Sequence, residues 1–161
     1  MNGDVNKAGS LVGVISDTHG LLRPEAVEAL KGSEMIVHAG DIGGPEVIET
    51  LRAIAPVVAV RGNNDRGRWA EEFPLHDVAE VGSTYIYVLH DLKELDLKPE
   101  AAGFRVVVSG HSHRAHAEER RGVLYLNPGS AGPRRFKLPL TVARLTLKGD
   151  DARAEIISLK V

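Results

Sequence analysis

Five short apolar runs, each stopped by an aspartate, asparagine or histidine, constrain this chain more than any other feature of its sequence. Leu11 to Ile15 runs into Asp17-Thr18-His19, Met35 to Val37 into Gly40-Asp41, and Val57 to Val60 into Gly62-Asn63-Asn64-Asp65. Tyr85 to Leu89 then meets His90, and Val106 to Val108 meets Gly110-His111-Ser112-His113. Nearly continuous apolar runs of this length read as strands buried on both faces, the habit of parallel sheets. Open α/β sheets bind ligands outside the carboxyl ends of their strands. The polar stops therefore belong on one rim, where Asp17, Asp41 and Asn63 meet the imidazoles of His19, His90, His111 and His113. The simplest chemical reading of that collection is a metal centre.

The segments between the runs alternate as a parallel sheet requires. Pro24 suits the first turn of a helix that Gly32 ends, and Pro45 to Ala53 reads as a second helix. With strands at 11–16, 35–38 and 57–61, the order β-α-β-α-β implies right-handed crossovers. After Pro74 the texture changes to strands at 77–81, 85–90, 105–109, 115–120, 123–126, 140–147 and 152–159. Gly82-Ser83, Arg121-Gly122 and Lys148-Gly149-Asp150 supply the turns among them. Two packed sheets with helices outside are expected, as one domain over 10–161 behind a loose tail at 1–9.

Composition limits the alternatives. A chain of 161 residues suits one hydrophobic core. A formal charge of -2 with both signs interspersed gives no footprint for stable nucleic-acid binding. There is no cysteine, which removes disulfides, thiolate zinc sites and a cysteine nucleophile. The polar stretch at 1–10 lacks the apolar segment of a signal peptide, and no apolar run suits a membrane span, so a cytoplasmic location without membrane partners is expected. Self-association is left open.

Asp17 and His19 are two residues apart, as are His111 and His113, so in extended chain each pair points to one side. Carboxylate, amide and imidazole donors without sulfur suit Mn, Fe, Co, Ni or Zn. Seven candidates exceed what one ion takes, which favours two ions about 3.5 to 4 Å apart sharing a carboxylate. Glycines before Asp41, Asn63 and His111 let the backbone turn sharply there. Each motif alone is weak, since Gly-Asp is usually a turn and a lone His90 is usually a satisfied histidine. Their joint order at successive strand ends carries the reading.

Ser16-Asp17-Thr18-His19-Gly20, His38-Ala39-Gly40-Asp41, Arg61-Gly62-Asn63-Asn64-Asp65, Gly110-His111-Ser112-His113 and Asn127-Pro128-Gly129-Ser130 together resemble the calcineurin-like metallophosphoesterases, in particular the small bacterial and archaeal phosphodiesterase branch. The resemblance implies a four-layer α-β-β-α sandwich of two mixed sheets flanked by helices. It implies two divalent ions, with manganese first, and hydrolysis of a small phosphate ester by in-line attack of a metal-bridging hydroxide. By that resemblance Asp17, His19 and His113 hold the first ion, Asn63, His90 and His111 the second, and Asp41 bridges. His38 either orients a ligand or is a buried histidine with a structural partner.

Two departures qualify the resemblance. Asn64 stands where many relatives carry a histidine that helps protonate the leaving group, and an amide is no general acid. Esters with easily departing leaving groups, such as aryl phosphodiesters, should therefore suit the chain best, with Asp65 the remaining candidate acid. His90-Asp91-Leu92 replaces the usual His-Gly-His, placing a negative group near the rim. Arg134 and Arg135, after the fifth motif, are candidates to bind a substrate phosphate. Trp69 and Phe73 either stack on a nucleobase or serve packing or dimer contacts, and no role is assigned to His76 or His116. The competing readings are a protein-interaction scaffold that keeps this fold, and a phosphomonoesterase or cyclic-nucleotide phosphodiesterase. Scaffold members erode the ligand set, whereas this chain retains every position.

Overall fold

A computed structural model describes residues 9–135 and 137–161. Apart from Gly9, the tail expected at 1–9 lies outside the described residues. The first half holds β1 (Ser10–Ile15), α1 (Pro24–Leu30), β2 (Met35–His38), α2 (Pro45–Arg52) and β3 (Val57–Ala59). The second half holds β4 (His76–Val81), β5 (Thr84–Leu89), the one-turn helix α3 (Pro99–Ala102), β6 (Val106–Val108), β7 (His116–Arg120), β8 (Val123–Asn127), β9 (Thr141–Lys148) and β10 (Asp151–Ser158). Each of the three helices has proline in its first turn, where the missing N–H leaves no hydrogen bond broken.

These strands make two five-stranded sheets, ordered β10-β9-β1-β2-β3 and β4-β5-β6-β8-β7. Each has a parallel centre and antiparallel edges. β1, β2 and β3 run parallel in the first, with β9 and β10 antiparallel. In the second, β5, β6 and β8 run parallel while β4 and β7 are antiparallel. β9 returns from the end of the chain to pair with β1, so the termini close the first sheet.

Strand alternation divides the core. Val12, Val14 and Val37 face Val106, Val108, Ile86 and Leu126 between the sheets. Ile15 and Ile36 face outward onto Ala26 and Leu30 of α1 and Ile48 and Leu51 of α2. The outer face of the second sheet, with Tyr87, Leu89 and Val107, is covered by Leu92, Leu95, Leu97 and Phe104. That last layer is thin, because a 3-10 turn at Leu92–Glu94 and the single turn of α3 stand where longer helices would complete the sandwich.

The run after β3 departs from expectation. The strand ends at Ala59, and the Arg61 N–H is bonded to the Pro74 carbonyl at 2.8 Å. A 3-10 turn at Arg68–Glu72 follows, with Trp69 edge-on to the buried Phe73 at 6.3 Å between ring centres. Both rings join the cluster beneath the helices, so packing, not nucleobase stacking, explains them. Among the described residues, no helix is long and apolar enough to cross a membrane.

Candidate metal centre

The parallel strands of both sheets deliver their carboxyl ends to one place, where backbone hydrogen bonds lace the loops together. The Asp17 N–H donates to the Gly40 carbonyl at 3.0 Å, the His19 N–H to Asp41 at 2.9 Å, and the Gly110 N–H to His90 at 2.9 Å. Side chains then join the two sheets. His90 Nδ1 donates to the Ala39 carbonyl at 2.7 Å, and the His111 N–H donates to Asp17 Oδ2 at 3.1 Å. The packing admits no Cβ at two of the glycines: one on Gly110 would fall 2.1 Å from Ser16 Oγ, and one on Gly62 would fall 2.2 Å from Asp41 Oδ1. These glycines let the loops approach the aspartates that they surround.

Inside this seam lie atoms that lack partners. Asp17 Oδ1, His19 Nε2 and His90 Nε2 are buried without a hydrogen-bond partner among the described residues. They face one another: Asp17 Oδ1 is 3.8 Å from His19 Nε2, 3.9 Å from His90 Nε2 and 3.4 Å from His113 Nε2. Asp41 Oδ2 is 3.7 Å from His19 Nε2 and 3.3 Å from His90 Nε2. Buried polar groups are normally satisfied, so these converging unpartnered atoms are candidate donors to a cation. They fall into two triads, Asp17-His19-His113 and Asp17-Asp41-His90. Asp17 belongs to both, while Asp41 also spans His19 and His90.

The backbone carries the same signature. Asp17, His19, Asp41, His111 and His113 all have positive φ, at 57°, 47°, 55°, 72° and 64°, and among the described non-glycine residues only Arg121 joins them. Side-chain residues adopt that conformation rarely, and where they do the surrounding structure over-determines it. Here the left-handed turns swing Asp17, His19, Asp41 and His113 off the ends of their strands and into the seam, and His111 to its exposed edge.

Neighbouring groups fix the ligand candidates. Ser16 Oγ donates to Asp17 Oδ2 at 2.7 Å. Asp41 Oδ1 accepts the Asn64 N–H at 2.9 Å and Oδ2 accepts Asn64 Nδ2 at 3.1 Å. Burial pushes the Asp17 carboxyl up, but the imidazole of His113, the Ser16 hydroxyl and the charge on His90 outweigh it and hold the group below the usual carboxylate range. Asp41 is held low against its burial in the same way, chiefly by His90 and Asn64. Burial pulls His90 down, yet the carboxylates of Asp41 and Asp17 raise it to about 9. Its proton on Nδ1 is committed to Ala39, so Nε2 is the nitrogen that faces the carboxylates.

Not every expected residue joins this cluster. His111 is 45% exposed, with its ring edge-on to His90 at 5.2 Å and Nε2 3.9 Å from Asp91 Oδ2. Asn63 is exposed and lines a cavity of about 200 Å³ with His90, His111 and Asp91. Arg134 and Arg135 are exposed on the loop after β8, without an ion pair among the described residues. Asp65 has a different task from the proton donor expected. Its two oxygens accept the backbone N–H groups of Ile42, Gly43 and Gly62 at 2.9 to 3.0 Å, clamping the second motif to the third. His38 is wholly buried between a donor and an acceptor, with Nε2 3.0 Å from Thr18 Oγ1 and Nδ1 accepting the Gly40 N–H at 3.1 Å. Its structural-partner reading is the one realised.

Residues without an assigned role in the sequence also build the seam. Asn127 Nδ2 donates to the Gly110 carbonyl at 2.9 Å while Oδ1 accepts the Gly129 N–H at 2.9 Å. Ser130 Oγ donates to the Asp17 carbonyl at 3.2 Å. Their signal was a polar residue at the end of an apolar run, the same one that marked the ligand candidates.

The sequence profile of the calcineurin-like phosphoesterase superfamily domain matches residues 11–150. The chain belongs to that superfamily. It is 36% identical over 159 residues to a probable metallophosphoesterase of Methanothermobacter thermautotrophicus, covering 91% of each chain. Among solved structures, an archaeal phosphodiesterase superposes with a TM-score of 0.75 at 25% identity, covering 91% of this chain and 99% of the other. Vps29 of Chaetomium thermophilum shares the fold, with a TM-score of 0.73 at 19% identity over 94% of this chain and 97% of the other. The superfamily uses divalent metals, and the two triads are candidate ligand groups for them in this phosphoesterase chain.

Proposed function

We propose that the chain is a dinuclear, metal-dependent phosphodiesterase. Asp17, His19 and His113 would hold one divalent ion, and Asn63, His90 and His111 the other, with Asp41 between them; manganese is the first choice of metal. The observation that carries this reading is the convergence of the orphaned atoms Asp17 Oδ1, His19 Nε2 and His90 Nε2 within one buried seam. Two bound divalent ions supply a water nucleophile at neutral pH and neutralise charge on the phosphoryl oxygens.

The chain's own residues do the positioning. Ser16 and Asn64 orient the carboxylates of Asp17 and Asp41, and the Ala39 carbonyl fixes the tautomer of His90. Hydrogen-bonded supports of this kind tune ligand affinity by about 10- to 100-fold. Asn64 donates its amide N–H to Asp41 and cannot protonate an alkoxide, and Asp65 is held by three backbone amides. The site therefore favours esters whose leaving groups depart as stable anions, such as aryl phosphodiesters.

The test is hydrolysis of bis(4-nitrophenyl) phosphate by the Mn-loaded protein beside Asp41→Ala, with 4-nitrophenyl phosphate as the monoester comparison. Diester hydrolysis well above the variant and above the monoester rate is expected. A rate equal to that of Asp41→Ala would overturn the reading in favour of a scaffold, and faster monoester hydrolysis would overturn it in favour of a phosphomonoesterase.

A further inference from the structure

A cavity of about 760 Å³ lies next to the rim, between the 3-10 turn after β5 and the adjoining ends of β7 and β8. The Asp91–His111 pair borders it and also borders the smaller cavity that holds Asn63 and His90. The two cavities therefore adjoin at Asp91 and His111, next to the ligand candidates. The larger one lies within the range of about 300 to 1,000 Å³ that suits organic ligands.

Part of the wall is tied together by internal hydrogen bonds. Asn127 Nδ2 bonds the Gly110 carbonyl and Ser112 Oγ, and Ser112 Oγ also accepts the Arg114 N–H at 3.2 Å. Leu92, Ala115 and Tyr125 give the space an apolar and aromatic part, beside the charged side chains of Asp91, Lys93 and Arg114. One face of Tyr125 already carries the Arg120 guanidinium, 4.5 Å from the ring centre, which fixes the ring in place. Lys93 and Arg114 line the cavity without an ion pair among the described residues and offset Asp91, so the approach is favourable to an anionic ester.

Building on the phosphodiesterase reading, we propose that this cavity is a nucleobase subsite: it takes the base and sugar of a nucleotide ester, against Tyr125 and Arg114, while the phosphate lies past His111 at the ligand rim. Aromatic rings and guanidinium planes stack on any base, so the subsite selects for a nucleotide before it selects among bases.

The experiment measures binding of adenosine 5′-monophosphate and of inorganic phosphate to the Mn-loaded protein by calorimetry. The monophosphate should bind at least about tenfold more tightly than phosphate, the factor expected of one stacked base. Ala115→Trp, which fills the cavity, and Arg114→Glu, which removes a planar cation from its wall, should each erase that excess. Equal affinity for the two probes, or an excess that survives both substitutions, would overturn the subsite. Nucleotide preference in a protein that hydrolyses no diester would support the subsite and overturn the phosphodiesterase reading instead.

Discussion

The two halves of the rim are built differently. In the inner half, Asp17, Asp41, His90 and His113 are nearly or fully buried, His19 completes the cluster, and their donor atoms point at one another. In the outer half, Asn63 and His111 stand at the walls of open cavities beside Asp91. Side-chain exposure is 6% at His90 and 45% at His111, although both follow central strands of the same sheet. Burial and hydrogen bonds thus preorganise one half, while the other half stays accessible to solvent. Such a division would suit the proposed activity, which needs ions held firmly and an ester admitted.

The sharpest way to break this comparison is to remove the residue common to both triads. Asp17→Ala should lower diester hydrolysis by about 10³-fold or more, the effect of losing several kcal/mol of metal-supplied stabilisation. It should also leave fewer than two Mn ions per chain by elemental analysis. In the paired comparison, calorimetry should show His90→Ala weakening Mn affinity about tenfold more than His111→Ala, because only His90 has its tautomer set by a buried carbonyl. Equal losses would mean that the two halves are equally organised.

Gly110→Ala tests the joint between the halves. A Cβ there meets Ser16 Oγ and Asp17 Oδ2, at 2.1 and 2.7 Å, so overpacking should lower stability by about 1 to 3 kcal/mol in urea titrations and weaken Mn binding with it.

His38 sharpens the inner half without touching an ion. Burial holds its imidazole down at about 4, against an ordinary value of 6.5. Below pH 6.5 the unfolded chain takes up a proton that the folded chain refuses until about pH 4. The stability present above that window is therefore lost as pH falls through it, by up to about 1.4 kcal/mol per unit. Unfolding free energies at pH 7 and pH 5 should show this slope in the wild type and lose that component in His38→Gln.

The smallest effect belongs to Asn64→Ala, which deletes one hydrogen bond to Asp41 and keeps the backbone bond. Mn affinity should fall about tenfold, the low end for loss of a ligand's hydrogen-bonded support.

Much of this was legible because buried parallel strands are written as apolar runs, and a polar residue at the end of one has few reasons to be there except the rim. Met35–His38 matches its expected strand at both ends, and the prolines marked the starts of α1 and α2. The thin fourth layer was not legible, because α3 is a single turn without periodicity to read. Trp69 and Phe73 read equally as recognition or packing groups, since only the fold brings them beneath the helices. The backbone clamp made by Asp65 was not legible, because it depends on where the backbones of Ile42 and Gly43 fall, about twenty residues earlier in the chain. The positive φ at five ligand candidates is likewise set by tertiary packing; aspartate and histidine tolerate it better than most side chains, but nothing local requires it.

The decisive measurement adds Mn stepwise to metal-free protein and follows bound ion and bis(4-nitrophenyl) phosphate hydrolysis in the same sample. Activity should climb to a plateau as two ions bind per chain, and Asp17→Ala should show neither the second ion nor the plateau. A plateau at one ion, or full occupancy by two ions without hydrolysis, would contradict the dinuclear phosphodiesterase reading.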